Sequence, residues 1–207
     1  NGVKARLPRL LEWLEETQPD IACLQEVKSQ DEGFPVAEFE KAGYGAIWHR
    51  QQAFNGVAIL AKGAQPVEAQ RTLPGDPEDE HARYIEADVF GVRVASIYLP
   101  NGNPQPGPKL DYKLKWIRRL HARAAELLAA EIPAVLAGDY NVIPTTNDIW
   151  SASALLDDAL RQPESIAAYR TLLNQGWTDA LSTHYPQGGI WTFWDFQAGA
   201  WQRDHGF

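Results

Sequence analysis

Two acidic residues stand where apolar runs stop. Glu26 follows Ile21-Ala22-Cys23-Leu24-Gln25, and Asp139 follows Ala134-Val135-Leu136-Ala137-Gly138. An ionised carboxylate beside a dry strand is costly unless it is paired or metal-bound, and the end of a core strand is a rigid place for a ligand. Mg²⁺ takes one or two carboxylates and completes its shell with water and phosphate oxygens. Glu26 and Asp139 meet that demand if the fold brings them together; two unrelated surface acids at strand ends are the other reading. Asn141 lies two residues after Asp139, so in an extended segment both face one side. Its amide would then donate to a phosphate oxygen or orient a water while Asp139 accepts a proton, unless it only caps the strand in an Asx turn. Tyr98 and Asn101, in Tyr98-Leu99-Pro100-Asn101-Gly102, offer a phenol and an amide at the end of another strand, or ordinary loop chemistry.

The elements that must position these groups follow from periodicity. Leu7, Leu10, Leu11 and Leu14 recur at helical spacing and predict a helix over 4–17, stopped by Pro19-Asp20. Residues 21–24 read as a buried strand, 29–35 as a loop and 36–42 as a short helix ending at Gly43. Residues 44–49, 56–61, 84–90 and 92–99 are β-like, the last two forming a hairpin that turns at Gly91. A turn-rich loop over 100–108 leads into a long helix with one apolar stripe through Leu110, Leu114, Ile117, Leu120, Ala124 and Leu127. Pro133 ends it. Residues 134–137 read as a second buried strand and 152–175 as two short helices. Strands and helices interleave, so the class is α/β or α+β with mixed sheets.

Composition narrows the function classes. A chain of 207 residues with 44% hydrophobic and 22% charged residues suits one globular domain, residues 1–207, with a substantial core. No run approaches the ~18 apolar residues of a membrane span. One cysteine, Cys23, excludes a disulfide framework and fits a reducing compartment. A net charge of −8 argues against a sequence-blind DNA coat. The charge is segregated, however. Lys109, Lys113, Lys115, Arg118, Arg119 and Arg123 cluster on the long helix, while Asp76, Glu78, Asp79 and Glu80 gather in a loop. The basic stripe is a candidate grip on a phosphate backbone, or simply a solvated helix face.

Taken in order, the motifs resemble the exonuclease III family. Leu24-Gln25-Glu26, Asn55-Gly56-Val57-Ala58-Ile59-Leu60, Tyr98-Leu99-Pro100-Asn101-Gly102 and Gly138-Asp139-Tyr140-Asn141-Val142-Ile143-Pro144 follow that family's order. Asn1-Gly2-Val3-Lys4-Ala5-Arg6 is similar to the second half of its opening N-x-N-G-x-[KR]-A-R motif, and Trp191-Thr192-Phe193-Trp194-Asp195 to its late aromatic motif. The resemblance implies a four-layered α/β sandwich of two packed mixed β-sheets flanked by helices. It implies a Mg²⁺-dependent phosphodiesterase, with Mn²⁺ as the alternative metal. The activities would be 3′–5′ exonuclease action on double-stranded DNA, cleavage at abasic sites, or both, in base excision repair. The substrate would be abasic or 3′-blocked duplex, met by a monomer with no membrane attachment, in a bacterial cytoplasm at the nucleoid. By the same resemblance Glu26 is the metal ligand, Asp139 orients or deprotonates water with Asn141 as the neighbouring phosphate and water contact, and Tyr98 and Asn101 hold the scissile phosphate, with Asp139, Asn141 and Tyr98 as the catalytic residues. Asn1, Lys28, Arg83, Lys109 and Lys113 are DNA or phosphate contacts, and Phe193 and Phe207 line a pocket for a base-less sugar.

The resemblance has gaps. The first Asn of N-x-N-G, an R-[IL]-D segment and a terminal S-D-H segment are not found, so the sandwich is expected to lack its first strand and its last segments, and the chain to lack the catalytic His. Asp204-His205 precedes Gly206-Phe207, which aligns just before the R-[IL]-D position, so this pair is not read as the catalytic one. Two rivals stay open: a phosphoesterase of the same fold acting on inositol phosphates or lipids, and a DNA-binding module without catalysis. A Ser hydrolase is disfavoured, because no Ser lies in a G-x-S-x-G context.

Overall fold

The computed structural model describes residues 2–28, 33–51 and 54–207. The chain forms two compact units, Asn1–Leu99 with Glu126–Tyr140, and Pro100–Ala125 with Asn141–Phe207.

The first unit holds both sheets. Helix α1 (Val3–Thr17) carries the predicted leucine stripe and ends in left-handed Gln18, whose N–H donates to Leu14 O. Leu7, Leu10, Leu11 and Leu14 pack on Ala22, Ala58 and Leu60 of the first sheet. That sheet has the order β1-β3-β2, from β1 (Ile21–Gln25), β2 (Tyr44–His49) and β3 (Val57–Lys62), and is antiparallel throughout. Helix α2 (Val36–Lys41) buries Phe39 in the same cluster. The second sheet has the order β4-β5-β6-β7, from β4 (Val67–Gln70), β5 (Tyr84–Val89), β6 (Val92–Tyr98) and β7 (Ala134–Asp139). Its first pairs are antiparallel, and β6 runs parallel to β7. The two sheets pack face to face through Val57, Ile59 and Ala61 against Ile85, Ala87, Val89 and Val94. These alternate positions of β3 and β5 supply the inner layer, as period-two patterning requires.

The hairpin β5–β6 turns at Phe90-Gly91 as expected. Two readings need correction. The runs at 21–24 and 134–137 look buried in sequence but are partly exposed, because β1 and β7 are edge strands; Val135 is 46% exposed. Strand β4 is not among the expected strands: Val67-Glu68-Ala69-Gln70 does alternate, but the run is four residues long and largely exposed.

In the second unit, α3 (Pro108–Ala129) contributes its residues up to Ala125. The predicted pair of helices over 152–175 resolves into a run of turns over 152–161 and one helix, α4 (Pro163–Asn174), with Pro at its first position. Proline is favoured there because that N–H has no intrahelical partner. A short α5 (Ala180–His184) is capped by Asp179, which accepts from Ser182 N. Ile143, Ile149 and Leu160 form a small core joined by Trp150, Leu155 and Phe207.

Candidate active site

In the first unit, Glu26, Arg83, Tyr98 and Asp139 gather at the ends of β1, β6 and β7. Register decides this. Tyr98 and Asp139 are opposite partners in the parallel β6–β7 pair, and Leu99 N donates to Asp139 O at 2.9 Å. Gly138 makes the pairing feasible: it sits at φ 144°, and a Cβ there would lie 2.0 Å from Ile97 O. From the other sheet, Gln25 Nε2 donates to Ser96 Oγ at 3.1 Å, and Ser96 Oγ donates to Leu24 O at 3.2 Å. This buried polar clasp fixes the end of β1 against β6. Glu26 Oε1 then accepts a hydrogen bond from the Tyr98 hydroxyl at 2.5 Å.

Charge explains the protonation states. Burial tends to raise the Glu26 pKa, but the Tyr98 hydrogen bond and the Lys28 ammonium outweigh it and hold the carboxyl below its usual range. Lys28 Nζ lies 2.9 Å from Glu26 Oε2. Tyr98 moves upward through burial, its bond to Glu26 and the charges of Glu26 and Asp139, with Arg83 opposing. Tyr98 is therefore a neutral phenol, and both carboxylates act on it electrostatically. Arg83 stacks on the Tyr98 ring with Cζ 4.6 Å from the centroid, and its Nη1 donates to Tyr98 O at 3.3 Å. Its buried Nε has no hydrogen-bond partner among the described residues. A buried donor without an acceptor is costly. Cys23 contributes no nucleophile, since burial pushes its thiol up to about 12.

Glu26 is the residue here that suits a hard cation: an ionised, partly exposed carboxylate oxygen donor. Among the described residues no group of three or more His, Cys, Asp or Glu comes together. The donor set thus fits an ion that keeps most of its water, such as Mg²⁺, and does not fit a closed site of the zinc type.

The second unit holds Asn101, Asn141, Lys109, Lys113, Phe193 and Phe207. Asn101 Nδ2 donates to Asn141 Oδ1 at 3.2 Å, so these two predicted phosphate contacts do meet. Asn141 is not extended, however. The strand ends at Asp139 and Asn141 lies at φ 47°, so the two-residue alternation expected for it lapses. Asparagine tolerates this left-handed region better than most residues.

Lys113 is the clearest correction. Placed by sequence among the DNA-gripping cations, it is fully buried. Its Nζ donates to the carbonyls of Asn141 at 2.6 Å, Asn101 at 3.1 Å and Ala159 at 3.3 Å. The ammonium fastens the backbone of both asparagines. Arg119 is also buried, whereas Lys109, Lys115 and Arg118 are exposed. The basic run is thus two populations on one helix, a distinction that charge counting does not reveal.

Phe193 and Phe207 lie with ring centroids 5.0 Å apart, each donating its N–H to the other's carbonyl, at 2.8 and 2.9 Å. Trp150 adds a tilted contact to Phe207 at 6.2 Å and stacks on His205 at 5.2 Å. Asp204 accepts from Trp194 Nε1 at 3.0 Å. Asp204 and His205 each serve an aromatic neighbour. Asn1 lies outside the described residues. Sequence reasoning missed Asn103, whose side chain joins Asn101 to Asp158 and Ala159, and the Gln25–Ser96 clasp. Neither carries a charge or a motif spacing that would have flagged it.

In the first unit, two packed sheets with acids at the strand ends and an arginine and a lysine beside them define a phosphoesterase-type architecture. Comparison with known proteins makes it particular. The Endonuclease/Exonuclease/phosphatase family matches residues 1–206. Exodeoxyribonuclease III of Haemophilus influenzae is 33% identical over 192 residues, covering 87% of this chain and 72% of that protein. An AP endonuclease from Archaeoglobus fulgidus has a TM-score of 0.93 at 33% identity, covering 100% of this chain and 80% of that one. A 3′ phosphatase from Neisseria bound to product DNA hairpin has a TM-score of 0.94 at 31% identity, with the same coverage. The chain belongs to the Endonuclease/Exonuclease/phosphatase family, and within it to the exonuclease III-like group.

Proposed function

We propose that this protein hydrolyses phosphodiester bonds in double-stranded DNA during repair, at abasic sites, at 3′ termini, or at both. The observation that carries the reading is the ionised Glu26 hydrogen-bonded to Tyr98, whose register partner is Asp139. Two carboxylates around one neutral phenol give a negative, partly open end to the sheets, where one acid can hold a cation and the other can take a proton.

The division of labour follows from the chemistry of each group. Asp139 accepts the proton of a water as its oxygen attacks phosphorus; the bond from phosphorus to the leaving sugar oxygen breaks, and that oxygen is protonated from solvent. Glu26 would hold a divalent cation, Mg²⁺ or Mn²⁺, which when bound supplies Lewis acidity to the phosphate. Arg83 and Lys28 supply positive charge beside the phosphate. Asn101 and Asn141 donate without adding a charge that would trap the product. Phe193 and Phe207 offer an apolar surface to a sugar that has lost its base, and a missing base lowers the cost of extruding that sugar. Exposed Lys109, Lys115 and Arg118 neutralise backbone phosphates, which makes binding salt-dependent. No helix among the described residues is long and apolar enough to cross a membrane. A monomer acting in a reducing cytoplasm completes the proposal.

The test uses an abasic duplex and the full chain with Mg²⁺. Asp139→Asn lowers kcat by roughly 10²–10⁴-fold, the usual worth of a general base, and Glu26→Gln abolishes the response to added metal. Both variants keep duplex affinity. Cleavage at the unaltered rate in either variant would remove that residue from the site.

A further inference from the structure

The segment from Glu26 to Lys28 is shaped in a way that the metal-ligand role of Glu26 does not require. Glu26 lies at φ 54° and Lys28 at φ 40°, both left-handed, with Val27 buried between them. Outside glycine this region is uncommon, and strained positions of this kind persist only where the surroundings hold them. Here the surroundings do. Val27 N donates to Gly56 O at 3.3 Å, Lys28 N to Asn55 O at 3.1 Å, and Val27 O accepts from Val3 N at 2.9 Å. Gly56 is needed for this, since a Cβ on it would lie 2.4 Å from Val27 Cγ2. Asn55, itself left-handed at φ 54°, is anchored by its bond to Gln51 Oε1 at 2.6 Å. The backbone therefore holds Glu26 and Lys28 near each other, and their side chains meet in an ion pair at 2.9 Å.

Among the described residues, the carboxylate meets two partners of different kinds. Oε1 accepts a hydrogen bond from a neutral phenol, and Oε2 faces an ammonium. A phenol and a cation can share a carboxylate, since the one adds no charge. Two cations on the same carboxylate repel each other. Both side chains of the ion pair are about a third exposed, at 32% and 40%, so water and ions reach them. Solvent-exposed pairs are weak and the lysine stem is flexible, so exchange is open to it.

We propose that Lys28 is an exchangeable counter-ion of Glu26: it competes with the divalent cation for Oε2, lowers the affinity for that cation, and is released toward phosphate when the cation is held. This rests on Glu26 holding a cation. It makes Lys28 a positioning residue that couples metal capture to the appearance of a free ammonium beside the substrate.

The experiment titrates Mn²⁺ into the full chain without DNA, reading free Mn²⁺ by electron paramagnetic resonance, with thermal melting in parallel. Lys28→Gln, which keeps length and loses charge, binds Mn²⁺ about three- to tenfold more tightly than the parent, as expected for removing a like charge at a partly solvated site. Its melting temperature rises more on adding Mn²⁺. Lys28→Arg, which keeps the charge, restores the parent affinity, and Lys28→Met repeats the Gln result should the Gln variant fold poorly. Equal or weaker Mn²⁺ binding by the folded Gln and Met variants overturns the inference. Glu26→Gln separates the two layers. If it binds Mn²⁺ like the parent, the metal reading itself fails. If it loses Mn²⁺ while Lys28→Gln is unchanged, only the exchange fails.

Discussion

The strand ends of the first unit and the loops of the second reach a defined arrangement by different means. At the strand ends, each chemical group is fixed by a neighbour in a ladder: Asp139 by register with Tyr98, Glu26 by the Gln25–Ser96 clasp and by the hydrogen bonds of Val27. In the second unit no sheet is available. Asn101 and Asn141 are held by the three-carbonyl grip of Lys113 and by Asn103, and Phe193 and Phe207 by mutual backbone bonds and ring packing. Ladder-held groups carry charges that must be placed accurately. The loop-held groups are neutral or aromatic, and in the proposed function they meet the shape of the ligand. On that proposal, accuracy of charge rests on β register and selectivity on side-chain fastening.

Several substitutions would break or sharpen that contrast. The largest expected effect is on selectivity. Phe193→Ala with Phe207→Ala lowers the preference for abasic over intact duplex by about 10–200-fold, the range for apolar pocket changes, with metal-dependent turnover of small phosphodiesters retained. Competition cleavage of the two duplexes measures it; an unchanged ratio moves the pocket elsewhere. Next comes Lys113→Met, which strands three carbonyls. It costs about 1–3 kcal/mol in urea unfolding, the penalty of an unsatisfied buried polar group, and it lowers activity through Asn101 and Asn141 rather than through metal binding. A variant as stable as the parent would show that the ammonium is not needed there.

Smaller effects separate the two populations of cations. Replacing Lys109, Lys115 and Arg118 by Ala reduces the salt slope of duplex binding by about one per lost phosphate contact, with stability unchanged. A slope that does not move leaves those side chains facing solvent alone. The smallest effect is on pH dependence. Glu26 is held below its ordinary range in the folded state, so its contribution is present above its unfolded pKa and is lost as pH falls through the folded value. Tyr98→Phe removes the donor to Oε1, moves Glu26 back upward and makes the acid limb of stability shallower. Chemical denaturation across the acidic range reads it, and an identical limb in the variant would deny the hydrogen bond any electrostatic role.

Much of the first unit was readable from residue order. The leucine stripe of α1, the strands at β1, β2 and β3 and the β5–β6 hairpin follow from period and turn residues, which are local properties. The positions of Glu26 and Asp139 at strand ends were legible for the same reason. Strand β4 and the turns before α4 were not, because neither has a burial pattern of its own.

The sequence by itself determined the family, the order of the strands along the chain and the acids that end two of them, since each is written in adjacent residues. Only the tertiary structure decided which cations face solvent. Lys113 and Lys115 are two residues apart with the same charge, yet one is buried on three carbonyls and the other is exposed. The tertiary structure also decided that Tyr98 would donate its hydrogen bond to Glu26, a partner 72 positions away. Burial and long-range hydrogen bonds depend on which surfaces meet, and no local pattern of residue types encodes that meeting.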